Sequence, residues 1–238
     1  MVITLWYVVE EITCIFENVI ERHFLLLGHG YHLRNPFVRA LLIGAEYGQS
    51  NNLCSKYPDA CVIWVDAHAD INTPTTTDTG NIHGMPVSFL LGLDKSIPEY
   101  QWINRYLATN RLVYIGLRDV DAGERKILKE NGIKAFSMHE VDKYGIGKVV
   151  ELALDHVNPN RDLPIHLSFD VDGLDPSVAP STGTPVRGGL TFREGHYICE
   201  AIYETGLLVA LDIMVSTSIT KTACPLLINH TGGQPFPR

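Results

Sequence analysis

"CVIWVDAHADINTP", residues 61–74, decides how the chain is read. Five apolar residues in a row, Cys61 to Val65, have no polar face and so describe a buried strand. Asp66, His68 and Asp70 follow at alternate positions. In extended chain, residues at i, i+2 and i+4 point the same way, so these three side chains are expected to converge if the extended geometry continues past Val65. A carboxylate–imidazole–carboxylate set suits a divalent ion of borderline hardness.

Working outward, further short apolar runs lie at 24–28, 111–117, 133–138, 164–170 and 206–214. Helix-like segments at 85–92, 122–131, 146–157 and 193–204 fall between several of them. Alternating strands and helices predict an α/β fold: a three-layer, doubly wound, mostly parallel sheet with helices on both faces. Ligands in such sheets sit at the carboxyl ends of the strands. No repeat or low-complexity linker interrupts the 238 residues, which are read as one domain, 1–238.

Composition narrows the partners. The net charge is −8 with no run of Lys or Arg, which argues against nucleic acid or an anionic membrane as a partner. Five cysteines without a Cys-x-x-Cys pair fit reduced thiols and a cytoplasmic location better than a disulfide framework. The first thirty residues carry Glu10, Glu11, Glu17 and Glu21, and they read as an amphipathic helix rather than a targeting peptide. No stretch of about 18 charge-free apolar residues is present to span a membrane.

A second stretch strengthens the metal reading. "IHLSFDVDGLDP", residues 165–176, repeats the plan, with an apolar run followed by Asp170 and Asp172. Two carboxylates about 4 Å apart repel by roughly 4 kcal/mol at an effective dielectric near 20. Four at one sheet edge call for compensating charge, and two divalent cations would supply it.

Together with "VDAHADINTP", the stretches "GNIHGMPVSFLL" (80–91), "YIGLRDVD" (114–121), "HLSFDVDGLDPSVAPSTGTPVRGGLTFREG" (166–195) and "TGLLVALDIM" (205–214) resemble the arginases, the binuclear-manganese members of the ureohydrolase family. The resemblance covers roughly residues 58 to 214. It implies an arginase-like fold and hydrolysis of L-arginine to L-ornithine and urea by two Mn2+ ions that share an activated water. Asp66 and Asp170 would bridge the ions, Asp70 would complete the first site, and His68 with Asp172 the second. His83, counted with Asp70 as catalytic, would pass a proton to the departing amine. Asn72 and Thr79 match positions that meet the α-carboxylate, Asp121 and Glu124 positions near the α-ammonium, and Thr184 the pocket wall. Asp121 and Glu124 also read as a helix N-terminus, and Glu194 is taken as structural.

The ends depart from the family pattern. A ligand histidine expected near Ile43 is absent, and His29 and His32 are too far upstream by about ten residues of spacing. Val215 stands where a guanidinium-binding glutamate is usual, three positions after Asp212. These departures keep two other readings open: an inactive arginase-like protein or fragment that binds metal or arginine, and an agmatinase-like ureohydrolase. They also imply weakened arginase activity and a family trimer that is weakened or lost. Because the first site lacks its usual histidine, one Mn2+ is expected to bind firmly and the other weakly. Elemental analysis after dialysis should find one tightly held ion per chain, and two would contradict it.

Overall fold

The computed structural model describes residues 56–96 and 106–214, all within one compact unit, residues 35–238. The expected amphipathic N-terminal helix, the run 24–28, His29, His32, Ile43 and Val215 lie outside the described residues. Five strands form one parallel sheet: β1 (Cys61–Val65), β2 (Leu112–Leu117), β3 (Lys134–Ser137), β4 (Ile165–Asp170) and β5 (Leu208–Met214). Their order is β3-β2-β1-β4-β5. All four pairings are parallel.

Five helices connect the strands: α1 (Pro86–Leu90), α2 (Ala122–Glu130), α3 (Met138–Tyr144), α4 (Ile146–Val157) and α5 (Phe192–Glu204). Four were expected from periodicity to within a few residues. The exception is α3, which no expected segment covered: the run at 133–138 forms β3, and a helix follows from Met138. Ser137 and Glu140 form a capping box there, Ser137 taking the His139 amide and Glu140 returning to the Ser137 amide at 2.8 Å. That Ser-x-x-Glu spacing is a helix-start signal directly after the strand.

Because alternate side chains of each strand point to opposite faces, the sheet builds two cores. Cys61, Ile63, Val65, Val113, Ile115, Ile165 and Leu167 pack with Val141, Val150, Leu154, Ile198 and Ile202 of α3, α4 and α5. Val62, Trp64, Leu112 and Tyr114 pack with Val87, Leu90 and Ile127 of α1 and α2. This is the three-layer arrangement expected. Among the described residues no helix is long and apolar enough to cross a membrane.

Chain order places the site. From β1 the described strands run outward through β2 and β3 on one side, and through β4 and β5 on the other. The order reverses between β1 and β4, and a crevice opens at such a switch point at the carboxyl ends. Register completes the placement: Val65 pairs with Phe169, so Asp66 and Asp170 leave the sheet side by side.

Two glycines let the backbones close around this edge. Gly116 holds φ +98° at an irregularity between β2 and β3, and a Cβ there would lie 3.3 Å from the Asp66 carbonyl. Gly173, in the turn after β4, lies so close that a Cβ would stand 3.2 Å from the Asp66 nitrogen. The sparsely populated backbone at Gly116 predicts that Gly116→Ala lowers unfolding free energy by about 1–3 kcal/mol. Urea denaturation of the two chains side by side measures it, and an unchanged midpoint would contradict the strain.

Candidate metal centre

β1 ends at Val65, and the Asp66 amide makes one last ladder bond, donating to the Ile115 carbonyl at 3.1 Å. Beyond it the chain is not extended. Asp70 sits in left-handed backbone at φ +50°, so the alternation that would have brought Asp66, His68 and Asp70 to one face does not persist. A coil held at several points replaces it. The Tyr114 hydroxyl donates to the Ala69 carbonyl at 2.7 Å, and the Val87 amide donates to the Asp70 carbonyl at 3.0 Å. The Asn72 amide donates to the Gly84 carbonyl at 3.0 Å, which ties this coil to the turn Ile82–Gly84 that carries His83.

The donors meet across the switch point. One ligand atom each from Asp66, His68 and Asp172 lies within 4.8 Å of the others, a spacing suited to one divalent ion. His68 Nδ1 stands 3.2 Å from Asp172 Oδ2 and 3.5 Å from Asp66 Oδ1. Orientation is imposed from behind: the Trp64 indole donates to Asp66 Oδ2 at 3.0 Å, the Ala67 amide to Asp172 Oδ1 at 3.3 Å, and the Asp172 amide to Asp170 Oδ1 at 2.8 Å. Thr184 Oγ1 donates to Asp172 Oδ2 at 3.0 Å. Asp66, His68, Asp70, Asp170 and Asp172 all line one cleft with Asn72, His83, Gly84, Asp119, Asp121, Glu124 and Thr184.

Asp66, Asp70, Asp170 and Asp172 are each 7% exposed or less, and their ionisation responds. Burial lifts the Asp66 carboxyl to about 6 although the His68 hydrogen bond opposes it. Burial, reinforced by the charges of Asp66 and Asp172, lifts Asp170 to about 8. Asp70 rises well above the usual carboxylate range through burial and the neighbouring Asp66 charge. Asp172 differs: burial would raise it, but the His68 hydrogen bond outweighs that and holds it low. Burial would lower His68, yet its bonds to Asp172 and Asp66 raise it to about 11. Without a metal, then, a protonated imidazole substitutes in part for the missing positive charge. The donor set fits a divalent ion or a pair of them, since acceptor-only oxygens and one imidazole face a common space with too little cation among them.

The family model for arginases, "Arginase family", matches residues 44–221. Over 162 residues the chain is 76% identical to an arginase of Glaciozyma antarctica, covering 66% of this chain and 47% of that one. Against an arginase of Coccidioides immitis the identity is 62% over 205 residues, 84% of this chain and 61% of the relative. This chain belongs to the arginase family. The crystal structure of a cold-adapted arginase from the psychrophilic yeast Glaciozyma antarctica superposes with a TM-score of 0.61 at 71% identity, covering 68% of this chain and 56% of that one. The arginase of Bacillus caldovelox gives 0.65 at 41% identity over 70% and 56%. The family match begins before residue 58 and ends beyond 214, wider at both edges than the motifs alone mark out. The chain spans about half the length of the curated relatives it matches.

Within this arginase-family site, one residue expected at the cleft lies elsewhere. Thr79 is exposed, its hydroxyl accepting from the Asn81 amide at 3.2 Å, and it does not line the cleft. Asn72 and Asp121 do, bonded to each other through Asn72 Nδ2 and Asp121 Oδ2 at 2.7 Å. Glu124 serves two ends at once. Its Oε2 accepts from the Asp121 amide at 3.2 Å as half of the α2 capping box, and its Oε1 accepts from the Ile71 amide at 3.3 Å. Glu194 caps α5 with Thr191, as a structural residue should.

Asp119 was missed by the sequence reading. It lines the cleft with Oδ2 3.6 Å from His68 Nε2. The signal was present, because Asp119 and Asp121 follow the β2 run in the same i, i+2 pattern as the other two strand ends.

Buried carboxyls that hold their protons longer than in the unfolded chain make stability fall as pH rises. For Asp66 and Asp170 that window runs from about 4 to about 8, and His68 extends the decline above 6.5 as it approaches 11. Asp172, held low, adds stability only above its own range and does not reverse the trend. Protein stripped with a chelator should therefore melt at a lower temperature at pH 8 than at pH 5, and added Mn2+ should recover most of the difference. Thermal scans across that range check it, and a flat profile in chelator would count against the burial argument.

Proposed function

We propose that this chain hydrolyses L-arginine to L-ornithine and urea with two Mn2+ ions bound at the β1–β4 switch point. The observation that carries the reading is the lining of one acidic cleft of an arginase-family chain by Asp66, His68 and Asp70 from beyond β1 and by Asp170 and Asp172 from the end of β4. Asp66, His68, Asp70, Asp170 and Asp172 would hold the ions. When bound, the ions supply the Lewis acidity that makes water nucleophilic near neutral pH.

The chain's own groups do the rest. The cleft's carboxylates favour a cationic guanidinium over a neutral competitor. Asp121, with Oδ2 already held by Asn72 Nδ2, faces the cleft where an α-ammonium can pair with it, and Glu124 lies buried beside it. Asn72 offers its amide to the α-carboxylate, and Thr184 keeps Asp172 turned toward the centre. His83, which lines the cleft on the turn tied to Asn72, would give a proton to the departing amine. Hydrolysis then balances: water adds across the guanidinium carbon, the C–N bond to the side chain breaks, and the amine leaves protonated.

Urea release from L-arginine in the presence of Mn2+ tests the reading, with agmatine as the comparison substrate. Arginine should be strongly preferred, because agmatine lacks the carboxylate that Asn72 would meet. Faster release from agmatine would favour an agmatinase-like specificity. Metal binding without urea from either would favour a non-catalytic family member. His83→Ala should lower turnover by about 10² to 10⁴ with metal content unchanged, and an unaltered rate would remove His83 from the proton transfer.

A further inference from the structure

One cation stands behind the acidic cleft without lining it. Arg118, half-buried at the end of β2, directs its guanidinium away from the cleft and into backbone. Nη2 donates to the Asp172 carbonyl at 2.6 Å, to Val186 at 2.7 Å and to Leu174 at 3.2 Å. Nη1 donates to Gly173 at 3.0 Å and to Gly116 at 3.3 Å, and Nε to Val186 at 3.2 Å. Five carbonyls from three chain segments thus converge on one planar fork. An arginine has five N–H groups in fixed directions to meet them, whereas a lysine has three on one rotating centre.

Those carbonyls belong to functional segments. Asp172 to Leu174 form the turn that presents the Asp172 carboxylate. Val186 closes the loop that presents Thr184, whose hydroxyl holds Asp172 Oδ2. Gly116 is the irregular residue of β2 against Asp66. The backbone amide of Arg118 donates to the Ala67 carbonyl at 3.0 Å, on the residue whose own amide holds Asp172 Oδ1. Local packing is shaped to the fork, since a Cβ on Gly189 would lie 2.6 Å from Arg118 Nη2.

We propose that Arg118 is a positioning residue: its guanidinium fixes the turn after β4 and the Thr184 loop together, and so sets the direction in which Asp172 offers its carboxylate to a divalent ion. This rests on the reading of Asp172 as a metal ligand. It adds that the ligand's geometry is set from below by main-chain carbonyls, a role that charge alone does not satisfy.

Isothermal titration of the full chain with Mn2+ tests it, at a temperature where circular dichroism shows every variant folded. Asn158→Ala is the control. Asn158 is buried at the opposite edge of the sheet, where Nδ2 donates to the Leu163 carbonyl at 3.0 Å and Oδ1 accepts from the Asp162 amide at 3.0 Å. Its loss should lower the melting temperature without reaching the site. Arg118→Ala and Arg118→Lys should each weaken Mn2+ binding by about tenfold to a hundredfold, the usual effect of removing a group that orients a ligand. Asn158→Ala should leave the affinity unchanged. Native affinity in Arg118→Lys would overturn the proposal, as would an equal loss in Asn158→Ala, which would mean general loosening. An Arg118→Lys chain that does not fold would also overturn it, by making Arg118 a folding requirement. If the unaltered chain binds no Mn2+, the reading of the site itself fails, an outcome distinct from all of these.

Discussion

Four buried carboxylates on neighbouring strand ends repel one another, and much of the surrounding structure answers that repulsion. They are brought together by the parallel register of β1 and β4, which sets Asp66 beside Asp170. Sheet hydrogen bonding and two apolar cores make that register costly to slip, since a one-residue shift would turn every core side chain to the wrong face. The acids therefore cannot separate to relieve their repulsion. Protonation, a charged imidazole at His68 and bound divalent ions are the remaining ways of meeting it, and the cleft offers all three.

Much of the fold was legible because its signals were local and repeated. Apolar runs marked all five described strands, and capping residues marked the start of α2. The acidic pairs at two strand ends pointed to the centre before any geometry was known. What was not legible depended on contacts across the chain. The left-handed turn at Asp70 comes from anchors on Tyr114 and Val87, which no local pattern at 66–70 encodes. No local pattern marks the role of Arg118, and only the folded arrangement reveals that its partners are carbonyls from distant segments. Thr79 failed in the opposite way, since motif matching placed it at the substrate while its loop turns it to solvent.

Helix starts and the cleft wall share residues. Asp121 and Glu124 cap α2 and also line the cleft, so the first turn of that helix and the cleft wall are one construction. A change at either residue would act on helix stability and on recognition together. Asn72 behaves similarly: Thr76 Oγ1 donates to its Oδ1 at 2.8 Å, leaving Nδ2 directed at Asp121. Side-chain amides are free to flip unless partners decide between oxygen and nitrogen. Here both ends are decided.

The pairing of β1 with β4 also has a consequence in time. Val65 and Phe169, adjacent in the sheet, are far apart along the chain, with four α-helices and two strands between them among the described residues. During synthesis Asp66 and His68 emerge well before Asp172, so the shared ligand group cannot exist while the ribosome is still producing the middle of the protein. Long-range closures of this kind come late in folding. Until then the early segment has only a sparse set of donors with which to capture a stray ion. The complete group arises only when β4 docks beside β1, which would make any metal capture a closing event of folding rather than its seed.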